Sequence, residues 1–132
     1  MKKLLICILL LSLCLSLVGC GKYYSSYSAI GSVRSNTSDK AYLSFMSLKG
    51  RMAFTLRPSE RSVIKYETEL GEGKVTVSYD IDGSLTELVK LLGEEEKIGE
   101  GATVEAGVTV YIIVDATDAR NGKITVRLED AK

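Results

Sequence analysis

The sequence predicts an all-β fold, a small antiparallel β-sandwich of about seven or eight strands. Three observations predict it. Apolar and polar residues alternate through most of residues 41–132, the period of a strand with one buried face. Gly, Asn and Asp interrupt that alternation roughly every 8–12 residues, as the turns of a sandwich do. The alternating runs are rich in β-branched and aromatic residues, which fit a pleated, half-buried surface.

The elements follow in order. Tyr42 to Leu48 has strand propensity, and Lys49-Gly50 reads as a short turn. Met52, Phe54 and Leu56 alternate with Arg51, Ala53, Thr55 and Arg57. Pro58, the only proline, ends that run because it cannot donate to a ladder. Ile64, Tyr66, Thr68 and Leu70 alternate with Lys65, Glu67 and Glu69, and Gly71-Glu72-Gly73 turns the chain. Val75, Val77, Tyr79 and Ile81 alternate with Lys74, Thr76, Ser78 and Asp80, with Asp82-Gly83 as the next turn.

Ser84 to Leu92 reads two ways. Leu85, Leu88, Val89 and Leu92 have helical spacing, and Ser84 with Glu87 has the form of a capping box. Its neighbours are all strand-like, so a strand and a helix of one or two turns both remain open. Gly93 to Gly101 is acidic and broken by glycine, a loop, with Thr103-Val104 as a short strand after it. Val108 to Val114 is nearly continuous in β-branched and aromatic residues, as suits a central strand covered on both sides. Asp115 to Gly122 reads as a polar connection ending in Asn121-Gly122, a type I′ turn signal. Ile124, Val126 and Leu128 form the last strand.

A different segment precedes this domain. Met1-Lys2-Lys3 is a compact basic start, and Leu4 to Val18 is almost wholly apolar. At about 15 residues the run is short for a ~30 Å hydrocarbon core, and it fits the h-region of a signal peptide. Leu17-Val18-Gly19-Cys20 closes it and resembles the lipobox of bacterial lipoproteins. The resemblance implies cleavage between Gly19 and Cys20 and a diacylglyceryl group on the Cys20 thiol. Two acyl chains anchor stably where one would not. The expected organisation is a cleaved signal peptide over 1–19, a lipidated Cys20 with a flexible tether over 20–40, and a β-sandwich over 41–132. The tether reading rests on Ser, Gly, Asn and Thr between Gly21 and Lys40, although Ser28 to Arg34 could form an edge strand. The domain itself is similar, in its order of elements, to the compact jelly-roll-like sandwiches found on bacterial lipoproteins and enzymes.

Composition excludes several functions. Lys and Arg total 17 against 17 Asp and Glu. Loss of Lys2 and Lys3 leaves 15 against 17, a net charge of −2, with no basic stripe for nucleic acid. Cleavage would also remove Cys7 and Cys14, leaving Cys20 alone and no disulfide. The chain has no His, which closes Ser-His and Cys-His catalysis and a His-rich zinc site. No enzyme and no cofactor are expected.

Two loops carry oxygen donors. Asp80-Ile81-Asp82-Gly83 has spaced carboxylates of the kind a hard cation prefers, without the rest of a calcium loop. Asp115, Asp118 and Asn121 form the second set. The bland alternative for both is turn chemistry. The expected function is a non-catalytic interaction module, lipid-anchored on the extracytoplasmic face of a bacterial membrane, with an envelope protein as partner. The alternative is a glycan- or calcium-binding module on the cell surface.

Overall fold

The computed structural model describes residues 23–131. The signal peptide, its cleavage site and Cys20 lie outside the described residues. Among the described residues there are seven strands and no helix. They are β1 (Ser26–Ile30), β2 (Val33–Asn36), β3 (Lys40–Leu56), β4 (Ser62–Asp80), β5 (Leu85–Leu92), β6 (Glu95–Val104) and β7 (Val110–Asp130). All pairings are antiparallel, in the order β1-β3-β7-β4-β5, with β2 also on β3 and β6 also on β4.

Three strands are far longer than an ordinary strand: β3 has 17 residues, β4 has 19 and β7 has 21. Each is irregular near its middle. The register slips between Leu48 and Gly50 in β3 and between Glu72 and Lys74 in β4. Opposite these slips, Asp118 and Asn121 of β7 have positive φ of 44° and 53°. The slips are bulges, which bend a strand and let its residues change face. In β3 the buried series Ala41, Leu43, Phe45 changes phase just before the slip and continues as Leu48, Met52, Phe54, Leu56, so the strand stays apolar toward the core.

The bends divide one sheet into two halves that pack on each other. The first half is β2, the start of β3, the end of β7, the start of β4, and β6. The second is the end of β3, the start of β7, the end of β4, and β5, with β1 lying across the bend of β3. Leu88 of β5 reaches Gly101 of β6 near Ile64, although both strands lie along β4. Such a contact needs the halves to face one another. Apolar residues of both halves form one core, from Ala41, Leu43 and Ile124 to Phe54, Val77 and Ile112. β7 is central, and Ile113 is buried on its opposite face, which accounts for the unbroken apolar run.

Several expectations need correction. Segment 20–40 is not a plain tether from Tyr23 onward, because β1 and β2 lie within it and pair with β3. The boundary at residue 41 therefore cuts into the fold. Lys49-Gly50, Gly71-Glu72-Gly73 and Asp115–Gly122 are not turns or connections but bends inside continuous strands. Residues 93–101 are largely strand, with Gly93 and Glu94 bonded to Gly73 and Gly71 at the bend. Of the stretch read two ways, Leu85–Leu92 is a strand and Ser84 belongs to the bend before it.

Glycine is required at the bend for a steric reason. Gly73 has φ +88°, and a Cβ there would stand 2.2 Å from the Asp118 carbonyl oxygen. Gly107 also has positive φ, +77°, but nothing lies within 4 Å of its Cβ position. Gly73→Ala is expected to cost more than Gly107→Ala, which carries only the roughly 1–2 kcal/mol of left-handed backbone strain. Urea unfolding measures both, and equal losses would show that the bend is not sterically closed at Gly73.

Candidate functional site

Alternation leaves the outward positions of the first half free of packing duty. The register sets them in rows across five strands. One row runs Val33, Ser44, Lys123, Glu69, Glu96. The next runs Ser35, Tyr42, Thr125, Glu67, Ile98. A third holds Lys40, Arg127, Lys65 and Glu100.

The first two rows form a groove lined by Glu67, Glu69, Glu96, Ile98, Lys123 and Thr125, with Thr68 at its margin. Its volume is about 160 Å³, less than the ~300–1,000 Å³ that encloses a drug-sized ligand. Anything bound there lies along the face and stays partly in water. The groove offers carboxylate acceptors, an ammonium donor and a hydroxyl that does both. Ile98, 71% exposed, and half-buried Tyr42 give apolar surface at either side. Three strand spacings separate Tyr42 from Ile98, about 14 Å.

The third row is locked by ion pairs. Lys65 Nζ lies 2.7 Å from Glu129 and 3.5 Å from Glu100. Arg127 meets Glu67 at 3.1 Å and Glu129 at 2.9 Å. Hydrogen bonds from Lys65 and then Arg127 hold the Glu129 carboxyl below its ordinary range. The same bonds to Glu129 raise Lys65 and Arg127. The network fixes Glu67, a groove residue, from its flank.

The outer face of the second half is built differently. Tyr111 and Asp80 are register partners there, and Tyr23 lies over both. Its hydroxyl donates to Asp80 Oδ2 at 2.6 Å, and its ring meets Tyr111 edge-on at 5.3 Å. Arg51 clasps Asp115 through two bonds, 2.8 and 3.1 Å.

The five loop residues of the sequence reading do not make one site. Asp80 is buried, 1% exposed, and takes the Gly83 amide at 2.7 Å as well as the Tyr23 hydroxyl. Asp82 takes the Ser84 amide at 3.2 Å, an Asx turn. Asp115 is held by Arg51, and Asp118 and Asn121 stand at the bend of β7. Among the described residues no group of three or more His, Cys, Asp or Glu side chains is placed to hold a metal ion. Ser62 and Lys65 have the S-x-x-K spacing, which serves catalysis on a helix. Here the strand puts them on opposite faces, with Ser62 Oγ bonded to Glu60 O and Lys65 to Glu129. The groove residues were missed in the sequence, because nothing in a linear pattern joins Lys123 to Glu96.

No protein-family model matches the chain, and neither does any curated protein sequence. Several solved structures are similar in part. The GH26-CBM35 β-(1,4)-mannanase of Podospora anserina aligns at TM-score 0.42 and 11% identity, over 83% of this chain. This chain spans 28% of the mannanase's length. TmCBM61, solved in complex with β-1,4-galactotriose, aligns at TM-score 0.40 and 13% identity, over 83% of this chain and 84% of its own. CBM35 from Paenibacillus barcinonensis aligns at 0.37 and 12%, over 84% and 87%. No residue of this chain takes a role from these superpositions.

The depressed Glu129 carboxyl gives a pH signature. A lowered folded-state value stabilises above the unfolded value of about 4.3, and the benefit fades as pH falls through the folded value. Glu129→Gln is expected to lower stability at neutral pH and to make no difference in acid below both values. Urea midpoints at the two conditions test this, and an equal loss at both would remove the charge network from the account.

Proposed function

We propose that this chain is a non-catalytic binding module, held by a lipid on Cys20 at the extracytoplasmic face of a bacterial membrane, whose ligand is a carbohydrate. The groove on the first half carries the reading. Sugar hydroxyls both donate and accept, and they match a surface of alternating carboxylate, ammonium and hydroxyl groups. Ile98 and Tyr42 suit the apolar C–H faces of sugar rings. A shallow, open groove suits a chain laid along a sheet better than a small molecule enclosed in a pocket. The solvent-exposed setting of Glu67, Glu69 and Glu96 suits hydrogen bonding to a ligand laid along the face.

A second reading is docking of an envelope protein. Ile30, Val33 and Met46 favour it, at 66%, 59% and 62% exposed around the β1–β2 turn, where the Met46 side chain lies against Gly31.

Two experiments test the proposal. Residues 21–132 are titrated calorimetrically with soluble wall fragments and β-linked oligosaccharides. A member of the panel is expected to bind, and Glu69→Gln or Lys123→Ala to weaken it about 10-fold or more, the worth of one charged hydrogen bond. Both positions are exposed, so thermal midpoints should barely move. A panel that fails to bind would leave the protein-docking reading in its place. For the anchor, Cys20→Ala is expected to abolish labelling by a fatty-acid probe in cells and to leave an uncleaved precursor. Labelling that persisted in that variant would sink the assignment.

A further inference from the structure

We infer that the outer face of the second half, around Tyr23 and Tyr24, is the surface that meets the lipid bilayer, with the groove of the first half turned away from it. The inference rests on the Cys20 anchor proposed above. Its first ground is chain length. Gly21 and Lys22 alone separate Cys20 from Tyr23. Three residue steps reach at most about 11 Å.

The second ground is that the chain is fixed from Tyr23 onward. The Tyr23 hydroxyl is bonded to buried Asp80, and its ring rests on Tyr111. Ser25 Oγ accepts from the Ala53 amide at 3.0 Å, and Ser26 is in register with Arg51. The tether expected over residues 20–40 is thus reduced to two residues between lipid and fold. A domain so held cannot turn freely above the membrane. The polar zone of one leaflet is about 5–7 Å deep, so Tyr23 starts within roughly two such depths of the lipid.

The third ground is the chemistry at that point. Tyr24 is 78% exposed and Tyr27 44%. Tyrosine settles at headgroup level, where its ring is apolar and its hydroxyl wet. Tyr23, Tyr24, Ser26 and Arg51 border an open hollow on the same side. Lys22, beside them in sequence, supplies a cation for anionic headgroups. Finally, the outer faces of two packed sheets point in opposite directions, with the sheets about 10 Å apart. The groove of Glu67, Lys123 and Ile98 then looks outward from the membrane, open to a ligand.

The test uses the full, lipidated protein in vesicles of phosphatidylcholine and phosphatidylglycerol. An environment-sensitive fluorophore is placed at Tyr24→Cys or at Ile98→Cys. Both sites are exposed, and Cys20 is alkylated, so the introduced thiol is the reactive one in the mature chain. Headgroup-labelled nitroxide lipids are expected to quench the probe at 24 several-fold more than at 98. Equal quenching, or stronger quenching at 98, in protein that floats with the vesicles would overturn the orientation and leave the anchor standing. Protein that fails to float with the vesicles would overturn the anchor and the orientation with it.

Discussion

The bend shared by β3, β4 and β7 is the constraint on which the rest of the structure depends. Laid flat, 21 residues of strand would run about 70 Å, with one apolar face open to water along the whole length. No helix among the described residues exists to cover that face. Bending the sheet on itself is the remaining way to bury it, and then the two halves supply each other's cover. The bend is fixed by close approach of backbones. Gly50 sits against the Ser26 carbonyl, and Gly73 against Asp118 and Ala119. A side chain at either position would push two strands apart at the line where both must turn.

Once the concave side has taken the apolar residues, the edges and outer faces are left to polar chemistry. The edge of β3 beyond β1 would expose unpaired amides and carbonyls, an invitation to pair with another chain. Side chains of β2 close it. Asn36 donates to the Thr55 carbonyl and accepts from the Thr55 amide, at 2.9 and 3.1 Å, as a neighbouring strand would. Arg34 donates to the Ala53 carbonyl at 2.7 Å and lies 4.6 Å from the centre of the Phe54 ring. These polar residues point inward from β2, which explains how a strand exposed at every position still belongs to the fold.

The fold class was legible in the sequence because period-two alternation survives a bend. The connectivity was not, because a bulge and a hairpin turn ask for the same residues. Asn121-Gly122 is a turn signal in isolation, yet Gly122 is buried inside β7 with the Phe45 ring resting on it. The helical spacing of Leu88, Val89 and Leu92 arises where the β4–β5 register shifts between Val77 and Ser78, a break in alternation that a helix would also give. β6 looked like a loop because its inward positions include Gly99 and Gly101. Their space is filled by Tyr66 and Leu88 from other strands, so β6 shows little apolar pattern of its own. The groove was illegible for a related reason. Its rows exist only through the register of β7, β4 and β6, whereas the acids that stood out in sequence, Asp80 and Asp115, are held by Tyr23, Gly83 and Arg51.

The two outer faces are thereby given different work by one short segment. Tyr23 lies over the second half and engages Asp80 and Tyr111, which takes part of that face out of contention for a ligand. The same contacts shorten the link toward Cys20, so the covered face is also the one nearest any anchor. Among the described residues the first half bears no such cover, and its charged flank of Lys65, Arg127 and Glu129 holds Glu67 beside the groove. A longer free tether would uncouple these facts, letting either face reach membrane or ligand. Ordering of β1 and β2 along β3 removes that freedom. On the proposed anchor, the strands that looked like linker in the sequence would be what orients the module.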